Sequence, residues 1–251
     1  HETSQDAGMR AVSLVYGAGA ALHRWSYSLF PSRVKRVSRP VVSVGNLSFG
    51  GTGKTPAVAW LCRRILDWGR RPLIVSRGYK AGPDGLNDEA ILLKELLPEI
   101  PHLHGADRFQ VANEGIEQYK PDCVVLDDGF QHWRLHRDLD LVLVDCLAFS
   151  DRGGIGSCLR EPLSALSRAG AVILTRSDQV PPAELDRVRE AVAASTRAPV
   201  AWAVHKPVDL VALDGGEGPA PKGLKAFLAS GIGNPEGFRK TAGSIGITVA
   251  G

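Results

Sequence analysis

Between Gly45 and Thr55 the chain reads Gly-Asn-Leu-Ser-Phe-Gly-Gly-Thr-Gly-Lys-Thr, between a short β-branched run and a helical pattern. Glycines in such a stretch let backbone N–H groups curl around phosphate oxygens, and the helix that follows adds the positive end of its dipole. A lysine at position 54 would neutralise β- and γ-phosphates, and the Thr55 hydroxyl would bind Mg²⁺. Gly50, Gly51, Thr52, Gly53, Lys54 and Thr55 are therefore the candidate ATP-binding residues. Ser48 stands where the usual pattern has its first glycine. A glycine-rich turn without nucleotide is the plain alternative, but the strand-loop-helix context leaves it little to explain.

A strand ending in an acid is the usual companion of such a loop, and Cys123-Val-Val-Leu-Asp127-Asp128 supplies it. A carboxylate at the C-terminal end of a core strand faces the ligand crevice and can hold Mg²⁺ directly or through water. Gln131 and His132 follow closely; the alternative for His132 is a hydrogen-bonded structural histidine. Gly231-Ile-Gly233-Asn-Pro-Glu-Gly237 imitates a dinucleotide fingerprint. Its spacing is one residue too long, and too little chain follows for the rest of a βαβ unit, so no nicotinamide cofactor is expected.

The elements that must position these residues alternate. Strands are expected at Pro40–Val44, Leu73–Val75, Cys123–Leu126, Leu139–Val144, Ala171–Leu174 and Val200–Val204. Helices are expected after Pro56, from Asn87, over Asp107–Tyr119 and over Pro182–Ala194. Strands separated by helical patterns imply an α/β fold with a parallel sheet and helices on both faces, of P-loop NTPase type. The loop at 214–223 is the best boundary candidate, giving an N-terminal arm (1–39), a kinase-like core (40–205), and a linker with the start of a smaller second lobe (206–251).

With 251 residues and 44% hydrophobic content, the chain can bury a substantial core, and wholesale disorder is excluded. Six of its cations lie in residues 1–40 against Glu2 and Asp6, so the arm is basic and the body close to neutral. That distribution suits an anionic surface near the arm rather than a nucleic-acid groove. Val15, Ala18, Leu22, Trp25 and Leu29 recur at helical spacing, followed by Arg33, Lys35, Arg36 and Arg39. The segment is too short to span a bilayer. It suits a helix lying in a membrane surface, or one packed on its own domain. Cys62, Cys123, Cys146 and Cys158 show no metal-type pairing, which favours a reduced, cytosolic compartment.

The chain resembles the tetraacyldisaccharide 4′-kinases, the lipid A kinases of Gram-negative bacteria. The resemblance rests on Val44-Gly-Asn-Leu-Ser48 through Gly53-Lys-Thr-Pro56, Ser76-Arg77-Gly78-Tyr79, Asp88-Glu89 and Gly105-Ala-Asp107-Arg108. It continues through Asp127-Asp-Gly-Phe-Gln-His132, Leu135-x-Arg137-Asp138, Leu159-Arg-Glu-Pro162 and Gly231-Ile-Gly-Asn-Pro-Glu-Gly-Phe238. It implies transfer of the ATP γ-phosphate to the 4′-hydroxyl of a tetraacylated glucosamine disaccharide 1-phosphate. The enzyme would be monotopic on the cytoplasmic face of the inner membrane, with the arm as its membrane contact. It also implies Asp88 as acceptor of the sugar hydroxyl proton, and Glu89, Asp127, Asp128 and Thr55 around Mg²⁺. Arg77, Arg108 and Arg160 become cations for substrate phosphates, while Gln131 and His132 line the same crevice. The plain alternative for Asp88 and Glu89 is a pair of helix-start acids favourable to the dipole.

The chain departs from the family pattern at Asn87 and Ala90 around the acids, and at 151–158 before Leu-Arg-Glu-Pro. Thr175-Arg176 is a milder change. The family's His-bearing segment beyond the Gly-Asn-Pro motif is not part of the sequence, so a fragment or a degenerate, inactive member is expected. From another class, a regulatory or metal-chaperone NTPase shares the phosphate loop. Thr175-Arg-Ser-Asp178 follows a strand as its base-specificity motif would, without the Asn and Lys.

Overall fold

The computed structural model describes residues 27, 29–48, 51–78, 88–150, 159–204, 206–207, 210–213, 216, 218–231 and 235–250. Seven parallel strands form the central sheet: β1 (Val41–Asn46), β2 (Pro72–Ser76), β3 (His102–His104), β4 (Cys123–Asp127), β5 (Leu139–Asp145), β6 (Ala171–Thr175) and β7 (Val200–Ala203). Their order across the sheet is β3-β2-β4-β1-β5-β6-β7. The chain thus builds outward on one side of β1 and then crosses to the other. In such sheets the crevice beyond the carboxyl ends, where the order reverses, is where ligands bind.

Period-two alternation divides the strand residues between two faces. Ile74, Val125 and Leu143 pack against Val58, Leu61, Cys62 and Ile65 of helix α1 (Lys54–Asp67), and against Leu93 of helix α2 (Asp88–Leu96). Leu73, Val75, Val124 and Leu126 turn to the other face, against Ala112 of helix α3 (Arg108–Tyr119). There Val142, Val144, Val172 and Leu174 meet Val188 and Val192 of helix α5 (Pro182–Ala193). A short helix α4 (Cys146–Ser150) caps β5. This is the expected parallel α/β architecture, with most strands running one or two residues further than their apolar runs. The additional residues, among them Ser76, Asp127, Asp145 and Thr175, are buried polar groups at the carboxyl ends.

Strand β3 was not expected, nor was a separate two-stranded parallel sheet, β8 (Lys225–Ala226) with β9 (Thr248–Val249), joined by helix α6 (Pro235–Ser244). Of the N-terminal arm, Tyr27 and Leu29 are helical, and the rest of the expected amphipathic helix lies outside the described residues. The end of the arm is tied to the body, where Lys35 N–H donates to the Arg134 carbonyl and His136 N–H to the Lys35 carbonyl. Among the described residues no helix is long and apolar enough to cross a membrane.

Candidate active site

The phosphate loop leaves β1 and enters α1 through Gly53, whose φ of 90° is a left-handed conformation that glycine adopts without steric cost. No side chain caps α1, and Pro56 in its first turn has no N–H to satisfy. The free N–H groups of that turn are the donors an anion would use. Lys54 and Thr55 are both buried at this helix start. Gly50 lies outside the described residues, as do Tyr79 and Asn87.

Side chains from the ends of β1 and β6 and from the turn after β4 brace the loop. Asn46 Nδ2 donates to the Ser48 carbonyl and to Thr52 Oγ1, both at 2.8 Å. Gln131 Nε2 donates back to the Asn46 carbonyl at 2.8 Å. From β6, Thr175 Oγ1 donates to the Thr52 carbonyl at 3.0 Å, and Arg176 donates to the Gly51 carbonyl. Arg176 is held in turn by Asp145 at 2.6 Å. Nothing in the sequence marks Asn46, Thr175 or Arg176 as braces, and Gln131, expected in the crevice among the cofactor-binding residues, joins them. Thr175 and Arg176, the apparent counterpart of a base-specificity motif, contact loop backbone.

Two non-glycine residues facing the loop, Asp128 (φ 54°) and Arg176 (φ 56°), adopt left-handed backbone. Such residues cost on the order of 1 kcal/mol each and persist only where surrounding contacts hold them. Asp128 is held by charge: Arg160 Nη1 reaches its two carboxylate oxygens at 3.1 and 2.8 Å, and Lys54 Nζ lies at 3.7 Å. Close approach fixes the strand ends as well, because a Cβ on Gly45 would lie 2.5 Å from Phe130 Cβ. The Leu-Arg-Glu-Pro segment pairs with the start of the loop through Ser48 and Leu159. Its Glu161 is buried against Arg168, which stacks 4.2 Å from the Phe130 ring and 4.3 Å from Trp133.

The two neighbouring aspartates are shifted in opposite directions. Burial, joined by the carboxylates of Glu89 and Asp128 and opposed by Lys54 and Arg108, raises the Asp127 carboxyl to about 6. Burial acts on Asp128 in the same direction, but Lys54 and Arg160 overcome it and hold its pKa below the usual carboxylate range. Asp127 thus carries repulsion from Glu89 and Asp128 that Lys54 and Arg108 only partly offset, and a divalent cation is the natural complement to it. Among the described residues no group of three acids, histidines or cysteines is gathered at metal-ligand spacing. Asp128 is turned instead towards its two cations.

On the β2–β3 side, Arg108 is buried at the start of α3, which Asp107 caps by accepting from Gln110 N–H. Burial lowers its guanidinium pKa, and Arg77 close by does so too, while Asp127 and Asp128 act against them. His132 is neutral: burial brings it down to about 4, with Arg108 and Arg137 contributing, and its Nε2 has no hydrogen-bond partner. Asp88 and Glu89 are exposed in the first turn of α2. The structure thus brings Lys54, Glu89, Arg108 and Arg160 into electrostatic range of Asp127, Asp128 or both. No direct bond joins Asp88 to them among the described contacts.

Comparison with known proteins agrees with this arrangement. The family model for tetraacyldisaccharide-1-P 4′-kinase matches residues 6–251. The tetraacyldisaccharide 4′-kinase of Geobacter sulfurreducens is 35% identical over 246 residues, covering 89% of this chain and 67% of the relative. That of Anaeromyxobacter dehalogenans is 38% identical over 262 residues, covering 94% of this chain and 68% of the relative. The crystal structure of LpxK from Aquifex aeolicus in complex with ATP superposes with a TM-score of 0.75 at 30% identity, covering 98% of this chain and 80% of that one. With its phosphate loop, paired aspartates and Leu-Arg-Glu-Pro segment gathered at the carboxyl ends of the strands, the chain belongs to the tetraacyldisaccharide-1-P 4′-kinase family.

Proposed function

We propose that the chain is the lipid A kinase its family name describes, moving the γ-phosphoryl group of ATP to the 4′-hydroxyl of a tetraacylated glucosamine disaccharide 1-phosphate. The observation that carries this reading is the braced Gly51–Thr55 loop facing a carboxylate group and three arginines, in a chain matched by the family model almost end to end. Phosphoryl transfer asks little covalent chemistry of the protein. It needs an aligned nucleophile, positive charge around the phosphates and a base for the hydroxyl proton.

Lys54 and the first turn of α1 bind the β- and γ-phosphates. Asp88, exposed at the start of α2, takes the proton of the sugar hydroxyl as its oxygen bonds to phosphorus and the bond to ADP breaks. Arg77, Arg108 and Arg160 receive the anionic groups of the acceptor and the transferring phosphoryl. His132, neutral and with a buried Nε2 that lacks a partner, accepts a hydrogen bond in the same crevice. Thr55, Glu89, Asp127 and Asp128 would hold Mg²⁺, partly through water, and the ion would neutralise charge on the phosphates. Gln131 keeps the loop in shape through Asn46.

The basic arm, with Leu29 and Phe30 exposed beside Arg33, supports a peripheral site on the cytoplasmic face of the inner membrane, where a lipid acceptor is met. Incubation with Mg·ATP and tetraacyldisaccharide 1-phosphate in detergent micelles should yield a 4′-phosphorylated lipid, and Lys54→Ala should yield none while remaining folded. Equal product from both proteins, or none from either, removes this reading. Sedimentation with anionic vesicles tests the membrane half, which fails if the chain stays in the supernatant.

A further inference from the structure

A cluster of reactive side chains lies at the carboxyl ends of β2 and β3, apart from the phosphate loop. Ser76, the last residue of β2, is in register with His104, the last of β3. Its Oγ is 2.6 Å from His104 Nδ1 and 3.1 Å from His102 Nε2, and the two rings lie 4.0 Å apart between centroids. A serine hydroxyl carries one proton. The short contact suits an O–H donated to His104, and the longer one an N–H donated by His102. His102 Nδ1 is then a bare acceptor, and it is buried without a partner. An imidazolium there would bury an unanswered N–H, so the geometry favours a neutral His102. Burial, with His104 adding to it, brings His102 down to about 3, and burial lowers His104 too.

The network lies within four residues of two cations along the chain, Arg77 and Arg108. Arg77 follows Ser76 in the chain. The Gly105 N–H donates to the Ser76 carbonyl at 3.0 Å, which ties down the segment leading to Arg108. Gly78, at φ 68°, passes so close that a Cβ there would lie 3.2 Å from His104 Cβ. Arg77 and Arg108 are near enough to depress the Arg108 pKa, so bringing them together costs electrostatic energy. A charged scaffold would fail either way. A third cation would add repulsion, and an acid would neutralise charge intended for a phosphate. Two neutral imidazoles bridged by a hydroxyl give hydrogen bonds without net charge.

We propose that Ser76, His102 and His104 are positioning residues that hold Arg77 and Arg108 converged for an anionic group of the acceptor. The assignment of that group to the acceptor rests on the kinase reading above; the positioning itself does not. Ser76→Ala should raise the KM for tetraacyldisaccharide 1-phosphate about tenfold and leave kcat and the ATP KM within about threefold, the pattern of lost acceptor binding alone. Ser76→Thr, which keeps the hydroxyl, should restore it. Independently of any activity, amide exchange over residues 105–108 should accelerate in Ser76→Ala while that of α1 stays unchanged. Unchanged exchange at 105–108 overturns the proposal. So does a parallel loss of both substrates' affinity with a lower Tm, which marks a merely structural hydroxyl. If the wild type phosphorylates no acceptor, the kinase reading fails and the exchange measurement alone decides this one.

Discussion

The two sides of the crevice are built differently. On the nucleotide side, Gly51, Thr52 and Ser48 are held by their own backbone carbonyls, which accept from Arg176, Thr175 and Asn46. On the α2 and β3 side, the acids Asp88 and Glu89 stand exposed on α2, and Arg108 is buried at the start of α3. A triphosphate is the same in every turnover, so a rigid cradle made of backbone suits it. An acylated sugar has to be delivered to the site, and exposed acids on one helix turn leave room for it.

The comparison predicts different kinetic signatures for the two sides. The largest effect is expected from Asp88→Asn, which should lower kcat about 100-fold or more with little change in ATP affinity, as for loss of a general base. If turnover and ATP affinity fall together, Asp88 belongs to the nucleotide side and the division fails. Arg176→Ala removes one brace and the partner of Asp145. The ATP KM should rise about tenfold with the acceptor KM unchanged, since a loosened loop binds its ligand less well in ground and transition states alike. An acceptor-specific defect in that variant would reverse the assignment.

The smallest effect is in the pH dependence of stability. His132 has a folded pKa near 4, below its unfolded value of 6.5, so the folded chain holds fewer protons between those limits. Its contribution is therefore full above pH 6.5 and is lost as pH falls towards 4; His102 acts in the same sense down to about 3. Asp127, with a folded pKa near 6, acts oppositely, its contribution declining as pH rises from 3.8 to 6. Thermal unfolding of His132→Gln should show a shallower loss between pH 6.5 and 4 than wild type. An identical slope would mean that His132 is not buried in its neutral form.

What could be read from the sequence follows from how local each signal is. The phosphate loop was legible because anion binding by consecutive N–H groups needs glycines, lysine and threonine in one contiguous stretch. Strands β2 and β4 were legible because Leu73–Val75 and Val124–Leu126 are buried on both faces. Strand β3 was not, since His-Leu-His is three residues long and two of them are polar. Nothing local in Thr175-Arg176 distinguishes a base-recognition motif from a loop brace. That depends on a carbonyl more than a hundred residues earlier in the chain.

By itself, then, the sequence determined the alternation of strands and helices, the phosphate loop and the acid-ended strand, all set by short-range periodicity and backbone chemistry. The tertiary structure decided which charges meet. Asp127 and Asp128 are chain neighbours of one chemical type, yet one is pushed towards neutrality beside Glu89 while the other is ionised between Lys54 and Arg160. Burial and distance set that difference, because the charge of a carboxyl depends on the groups the fold places around it and not on its neighbours along the chain.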